Sequence, residues 1–174
     1  IMGHEFSGVV AEVGAMAKKM GLFEEGDRVA VNPVMQCNAC AACMRGEFNS
    51  CGNVEVVGTM FDGAMAEYVK VKYTHVYKIP DAVSFKDAAL AEPLACATHA
   101  VERLDVKMGQ TVVVYGVGGI GLMMIQLAKA AGAGNVIVVA RKDFGLNKAL
   151  ECGATHVINN TDTEVNLIVV GEAS

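Results

Sequence analysis

The chain has 174 residues, which is enough for one ordinary domain or for two small ones. Hydrophobic residues make up 53% and charged residues 19%, so the composition is that of a globular protein and excludes a disordered chain. A net charge of −5, no Trp and no basic stretch with interleaved aromatics argue against a nucleic-acid partner and favour a soluble acidic protein.

The first half of the chain consists of short β-branched runs that are separated by glycines and polar turns. These runs lie at residues 8–10, 28–31, 54–57 and 68–71. Several short strands at this spacing predict a small, barrel-like β domain, which we place at residues 1–92.

The second half changes to a helical pattern and then to an alternating one. Residues 84–104 read as helix; Ser84 and Asp87 resemble a capping box with Asp in place of Glu, and Pro93 breaks or restarts the helix. The sequence then predicts strand 111–115, helix 119–131, strand 135–140, helix 144–152 and strand 155–158. This alternation predicts a parallel, doubly wound sheet in a second domain, residues 93–174, and an α/β fold class for the chain.

Residues 108–128 carry no charge and are long enough to suggest a membrane span. The segment contains several glycines, and its pattern changes from β-branched residues at 112–114 to helix-favouring residues at 122–128. We therefore interpret it as a buried strand, a glycine turn and a buried helix, and expect no membrane association.

Four of the six cysteines follow the spacing Cys37-x2-Cys40-x2-Cys43-x7-Cys51. Four thiolates complete a tetrahedral zinc shell, and a closed shell of four protein ligands indicates a structural site. Disulfides are one alternative, and an iron–sulfur cluster is another, although the last spacing of the ferredoxin pattern is different. The other two cysteines, Cys96 and Cys152, stand in apolar helical context and are expected in the core.

Two further groups have the chemistry of metal ligands. His4 and Glu5 are adjacent, and a neutral histidine is a good zinc ligand that a neighbouring carboxylate can assist. Glu92 stands at a helix break in an apolar stretch, where a nearby cation would offset the cost of burying a carboxylate. The alternatives are a structural histidine with satisfied hydrogen bonds and a carboxylate that is solvated at the helix junction.

A glycine-rich turn joins the predicted strand 111–115 to the following helix. Its glycines are Gly116, Gly118, Gly119 and Gly121. Glycines at these positions permit a tight turn and a close approach of a pyrophosphate to the helix N-terminus, which predicts a dinucleotide-binding loop. A strand–turn–helix without a ligand is the alternative.

The end of the next strand bears on which dinucleotide binds. An acidic residue there normally contacts the ribose 2′-hydroxyl of NAD, but Ala140 stands in its place and is followed by Arg141 and Lys142. Arg141 can pair with a 2′-phosphate, which favours NADP over NAD. The alternative is that Asp143 serves the ribose of NAD from a shifted loop.

Three motifs together resemble the zinc-containing medium-chain dehydrogenases. They are Gly3-His4-Glu5-x2-Gly8-x5-Gly14, the cysteine spacing preceded by Gly26-Asp27-Arg28-Val29, and Glu92-Pro93. The Glu-Pro pair is similar to the sorbitol, butanediol and threonine dehydrogenase branch. The resemblance implies a partial GroES-like β domain with a structural-zinc lobe, followed by a partial Rossmann domain.

The resemblance also implies an activity and a catalytic zinc. His4 would be a ligand of that zinc, with Glu5 and Glu92 as ligands or water-linked alternates. The family's remaining ligand, a Cys before the His-Glu pair, and its proton-relay Ser or Thr have no counterpart in this sequence. The implied reaction is hydride transfer between a secondary alcohol or polyol and NADP(H) or NAD(H).

Alternatives to that reaction are a threonine-type or primary-alcohol dehydrogenase and a catalytically silent protein that binds zinc and a nucleotide. For the complete protein we expect a small alcohol or polyol as substrate, a cytoplasmic location and a homo-oligomer.

The last apolar run, residues 167–170, resembles the fourth strand of the nucleotide-binding sheet. In the usual strand order, 3-2-1-4, the chain must cross about three strand spacings of roughly 4.8 Å each to reach that position. The connection after residue 159 is too short for this, so we expect that residues are missing between Asn159 and Leu167. We expect the 174 residues alone to be inactive.

Overall fold

The computed structural model describes residues 1–161, which divide into two compact units between Pro93 and Leu94. Each unit has its own β-sheet, antiparallel in the first and parallel in the second. The predicted strand at 167–170, and the chain break expected before it, lie outside the described residues.

Antiparallel strands form the first unit. The central strand β2 pairs with β1 on one edge and with β5 on the other, and β3 pairs with β4 in a separate two-stranded sheet. The elements are β1 (Ser7–Val9), α1 (Ala15–Lys19), β2 (Arg28–Val31), β3 (Val34–Met35), α2 (Ala41–Met44), a 3₁₀ turn (Phe48–Ser50), β4 (Glu55–Val56), a 3₁₀ turn (Tyr73–His75), β5 (Val76–Lys78) and α3 (Phe85–Ala89). The predicted GroES-like β domain is confirmed.

One side chain of β2 fixes the segment that leads into α3. The Arg28 guanidinium donates to the carbonyl oxygens of Pro80 (3.1 Å), Asp81 (2.9 Å) and Val83 (2.6 Å). The guanidinium carbon also lies 4.6 Å from the centroid of the Phe85 ring, in the geometry of a cation–π contact. Arg28 therefore holds this turn against the central strand through charge-assisted hydrogen bonds.

The predicted strand at residues 68–71 is wrong, because the structure has irregular chain there. Val76–Lys78 forms the strand instead and takes the second edge of β2. β propensity expresses how well a residue fits a paired, half-buried surface. Residues 68–71 pair with no strand among the described residues, so their β-branched composition is not enough to form one.

The second unit has the predicted parallel order, with β7 between β6 and β8. A helix follows each of the first two strands, so the strand–turn–helix pattern of a partial Rossmann domain is confirmed. The elements are α4 (Ala91–Leu104), which begins before the unit boundary, β6 (Thr111–Tyr115), α5 (Gly119–Ala130), β7 (Asn135–Ala140), α6 (Asp143–Glu151) and β8 (His156–Asn159).

The core of the second unit lies between the sheet and one side of each helix. Val136 and Val138 of β7 are completely buried, because β7 is the central strand. Ile125 of α5, and Leu146 and Ala149 of α6, belong to the same buried cluster. The uncharged segment 108–128 folds into a turn, β6 and most of α5, and no helix within residues 1–161 is long and apolar enough to cross a membrane.

The helix signals at 84–93 are confirmed. The Ser84 hydroxyl accepts from the backbone N–H of Asp87 (3.1 Å), which is the N-cap bond of a capping box, and the Asp87 carboxylate reaches back to accept from the Ser84 hydroxyl (2.6 Å). α3 ends before Leu90, and α4 restarts with Pro93 in its first turn, where the missing N–H breaks no helical hydrogen bond.

The prediction that Cys96 lies in the core is wrong, because Cys96 is exposed. Cys152 is half-buried and packs against the core cluster of the second unit. The buried positions of α4 are Pro93, Ala97 and Val101, which repeat once per turn, and Cys96 lies beside this stripe. Apolar composition alone does not define which face of a helix is buried.

Unfolding experiments should distinguish the buried side of α6 from its exposed side. Leu146→Ala should lower the free energy of unfolding by about 2–5 kcal/mol, because it leaves a cavity in the cluster. Leu146 is 4% exposed and Leu150, on the same helix, is 46% exposed. Leu150→Ala is the matched control and should cost about 0.5 kcal/mol. Urea denaturation measures both, and equal losses would contradict the assignment.

Candidate metal centres and nucleotide loop

The four spaced cysteines converge at one point of a single loop. Cys40 precedes α2, Cys43 lies inside it, and Cys51 follows the 3₁₀ turn. The Sγ–Sγ separations are 3.9 Å for Cys37–Cys43, 4.0 Å for Cys40–Cys51 and 3.6 Å for Cys37–Cys51. Tetrahedral Zn–S bonds of about 2.3 Å give a separation of roughly 3.8 Å. No disulfide joins the cysteines of this loop in the structure, because these sulfurs lie well beyond the S–S bond length of about 2.05 Å.

The surroundings of the sulfurs differ, and their proton affinities differ accordingly. The backbone N–H groups of Ala39 and Cys40 lower the pKa of Cys37 to about 6. The backbone N–H of Cys43 lowers the pKa of Cys40. Burial, followed by the hydrogen bond with Cys40, raises the pKa of Cys43 to about 12. A divalent cation between the sulfurs favours the thiolate form of all of them, so this donor set fits a zinc ion.

A second group of ligand atoms lies elsewhere in the first unit. One ligand atom each from His4, Glu5 and Glu92 lies within 4.8 Å of the others. His4 and Glu92 are half-buried, whereas Glu5 is exposed. An imidazole and two carboxylates are suitable zinc ligands, and three protein ligands leave one tetrahedral position open. The structure thus brings together the three residues that the sequence singled out.

One hydrogen bond and the direct succession of two helices bring these distant parts of the chain together. The Ser7 hydroxyl, at the start of β1, donates to the carbonyl oxygen of Phe85 at the start of α3 (2.6 Å). α3 is followed directly by α4, which carries Glu92 in its first turn. Because His4 lies just before β1, this hydrogen bond brings the segments of His4 and Glu92 towards each other.

Two glycines that the sequence analysis missed support His4. The Gly3 carbonyl oxygen accepts from the backbone N–H of Ala64 (2.9 Å), and it occupies the space that a Cβ would need at Gly58 or Gly63. Any side chain at these two positions would displace the residue before His4. The signal in the sequence is weak, because it consists of two glycines five residues apart in an irregular stretch.

The glycine turn of the second unit has the geometry of a phosphate-binding loop. Gly116 has φ +98 and its N–H donates to the Val139 carbonyl oxygen (2.9 Å), which continues the ladder between β6 and β7. A Cβ at Gly121 would overlap with the Gly116 carbonyl oxygen. Nothing lies within 4 Å of an added Cβ at Gly118 or Gly119, so the surface beside the N-terminus of α5 is open. This open, side-chain-free helix N-terminus fits a pyrophosphate.

Two cations and a carboxylate follow directly after the end of β7. Arg141 and Lys142 are exposed, whereas Ala140 is buried. Asp143 accepts a hydrogen bond from the Asn159 side-chain amide (2.7 Å), at the end of β8. This bond uses one of the two carboxylate oxygens, and the other remains able to accept from a ribose hydroxyl.

Comparisons with known proteins agree with these features. The pattern of the family called alcohol dehydrogenase GroES-like domain matches residues 1–81, and that of the family called zinc-binding dehydrogenase matches residues 119–170. The sorbitol dehydrogenase of Bacillus subtilis (strain 168) is 41% identical over 160 residues, which are 91% of this chain and 44% of that protein.

Solved structures show the same similarity. A protein of Sinorhizobium meliloti 1021 bound to NADP has a TM-score of 0.88 and 36% identity over 94% of this chain and 47% of that chain. A short chain alcohol dehydrogenase of Escherichia coli CFT073, complexed with NADH, has a TM-score of 0.87 and 39% identity over 94% of this chain and 48% of that chain. The chain spans about half the length of the relatives that it matches.

We expect the cysteine loop to retain one tightly bound zinc ion. Cys43→Ser should remove about one equivalent of zinc and destabilise the protein by several kcal/mol, because structural zinc sites contribute directly to folding. Cys152→Ser, which changes a cysteine outside the loop, should leave the zinc content unchanged. Elemental analysis by mass spectrometry measures the metal. A Cys43→Ser protein with its full zinc content would contradict the assignment.

Proposed function

Because the chain belongs to the zinc-binding alcohol dehydrogenase family, we propose that the complete protein transfers a hydride between a secondary alcohol or polyol and NADP(H). The observation that carries this proposal is the convergence of His4, Glu5 and Glu92, which gives the first unit a second, open set of metal ligands. The similarity to a sorbitol dehydrogenase supports a polyol as the substrate class.

The two metal centres have different roles in this proposal. The cysteine loop supplies four ligands and leaves no open position, so its zinc ion is structural. His4 and Glu92 are ligands at the second centre, and the exposed Glu5 is a ligand or a water-linked alternate. When bound, a zinc ion with an open position supplies Lewis-acid polarisation of the alcohol oxygen.

The second unit binds the dinucleotide in this proposal. The pyrophosphate lies against Gly116–Gly121, where the backbone N–H groups at the start of α5 and the absence of side chains favour an anion. Relatives have been solved with NADP and with NADH, so the preference rests on this chain's own residues. Arg141, with Lys142 beside it, pairs with the 2′-phosphate of NADP(H), and Ala140 removes the carboxylate that would repel it.

Activity and zinc content should fall together when the second centre is disrupted. His4→Ala in the complete protein should remove one of two zinc equivalents and lower polyol oxidation by about a thousandfold, or about 4 kcal/mol. His156→Ala, at an exposed histidine of the second unit, is the matched control and should leave both values unchanged. A His4→Ala enzyme with normal turnover of sorbitol or another polyol would contradict the proposal.

Cofactor preference should depend on the end of β7. Arg141→Gln should weaken NADP(H) binding by about tenfold to a hundredfold with little effect on NAD(H), because one ion pair with the 2′-phosphate is lost. Adding Ala140→Asp should move the preference further towards NAD. Lys148→Gln is the control, because it likewise removes one exposed cation, but from α6 and not from the end of β7. Titration calorimetry at one ionic strength measures each affinity. Equal affinities of the unmodified protein for NAD and NADP would contradict the assignment.

A further inference from the structure

Gly145 is a buried glycine in the first turn of α6. Glycine is unfavourable inside a helix because it loses more backbone freedom on folding than any other residue. Its φ is not in the left-handed region, so backbone conformation does not require glycine here. The requirement comes from what lies next to it.

The neighbour of Gly145 is Val117, the second residue of the glycine turn. A Cβ at Gly145 would overlap with Cγ2 of Val117 and lie 3.3 Å from its Cβ. Val117 is partly buried and packs against the core cluster that contains Leu146. Because χ1 of valine is stiff and its surroundings are packed, Val117 has little freedom to turn away.

The glycine turn also contacts α5, through Gly121. An added Cβ at Gly121 would overlap with the Gly116 carbonyl oxygen and lie 3.1 Å from the carbonyl carbon. α5 therefore approaches the turn closely at Gly116, and α6 approaches it closely at Val117. The glycine turn lies between two helices, and each contact depends on a missing side chain.

We propose that Gly145 is a positioning residue for the dinucleotide: by lacking a side chain, it lets Val117 set the place of the glycine turn against which the pyrophosphate binds. This inference rests on the proposed function of that turn. A methyl group at Gly145 pushes Val117 and the adjoining N–H groups of Gly118 and Gly119 out of place, and a smaller residue at 117 restores the space.

The test compares Gly145→Ala, Val117→Ala and the double variant in the complete protein. Gly145→Ala should raise the Kd for NADPH by about tenfold, because small displacements of positioning groups have large effects. The double variant should bind within about twofold of Val117→Ala, so that the two substitutions are strongly non-additive. Asn147→Ala is the control: it also raises the helix propensity of α6, but at an exposed position.

A second measurement does not depend on nucleotide binding. Amide hydrogen exchange in the peptide that spans Val114 to Gly121 reports on the Gly116–Val139 hydrogen bond. Exchange should be about tenfold faster in Gly145→Ala than in the unmodified protein and should return in the double variant.

The outcomes separate the two proposals. Unchanged exchange and unchanged NADPH affinity in Gly145→Ala would overturn the positioning role, since Val117 would then have turned aside at no cost. Weaker binding that Val117→Ala does not rescue would also overturn it. A third outcome is that no variant binds NADPH, while amide exchange is faster in Gly145→Ala and returns to its original rate in the double variant. This result would support the steric contact between residues 145 and 117 and count against the proposed function.

Discussion

Two backbone carbonyl oxygens, those of Gly3 and Gly116, occupy space that a side chain would otherwise fill. The first lies against Gly58 and Gly63, and the second lies against Gly121. Each contact fixes the chain next to a candidate site, since His4 follows Gly3 and the open turn follows Gly116. Glycine at these positions is thus required by close approach of the backbone, and any larger residue would move functional groups rather than fill a void.

The cysteine loop depends on a different interaction. Its helix α2 has four residues and its 3₁₀ turn has three, which is far below the length at which helices form on their own. The convergence of the sulfurs therefore determines the shape of the loop. Thiolates that lie 3.6–4.0 Å apart repel one another unless a cation lies between them. Under the proposed function, zinc binding and folding of this loop are accordingly coupled.

Local signals made much of this structure predictable. The cysteine spacing and the Gly116–Gly121 turn act within one loop, and the strand–helix alternation needs no knowledge of distant partners. Residues 68–71 were misassigned because strand formation depends on pairing with a neighbouring strand, and these residues pair with none among the described residues. Gly58, Gly63 and Gly145 were not recognised because each contacts a residue far away in sequence. Their spacing carries no information about those contacts.

The residues that follow β7, which bear on the dinucleotide preference, are held in place by residues at the end of β8. Asp143 stands three residues after Ala140 and accepts the Asn159 amide at 2.7 Å. The same Asn159 side chain accepts from the backbone N–H of Thr161 (3.0 Å), and the Thr161 hydroxyl donates to the Arg141 carbonyl oxygen (3.2 Å). The end of β8 therefore holds both the Asp143 carboxylate and the backbone of Arg141. Under the proposed function, this arrangement restricts where the Arg141 side chain begins and directs one carboxylate oxygen of Asp143 towards the end of β8.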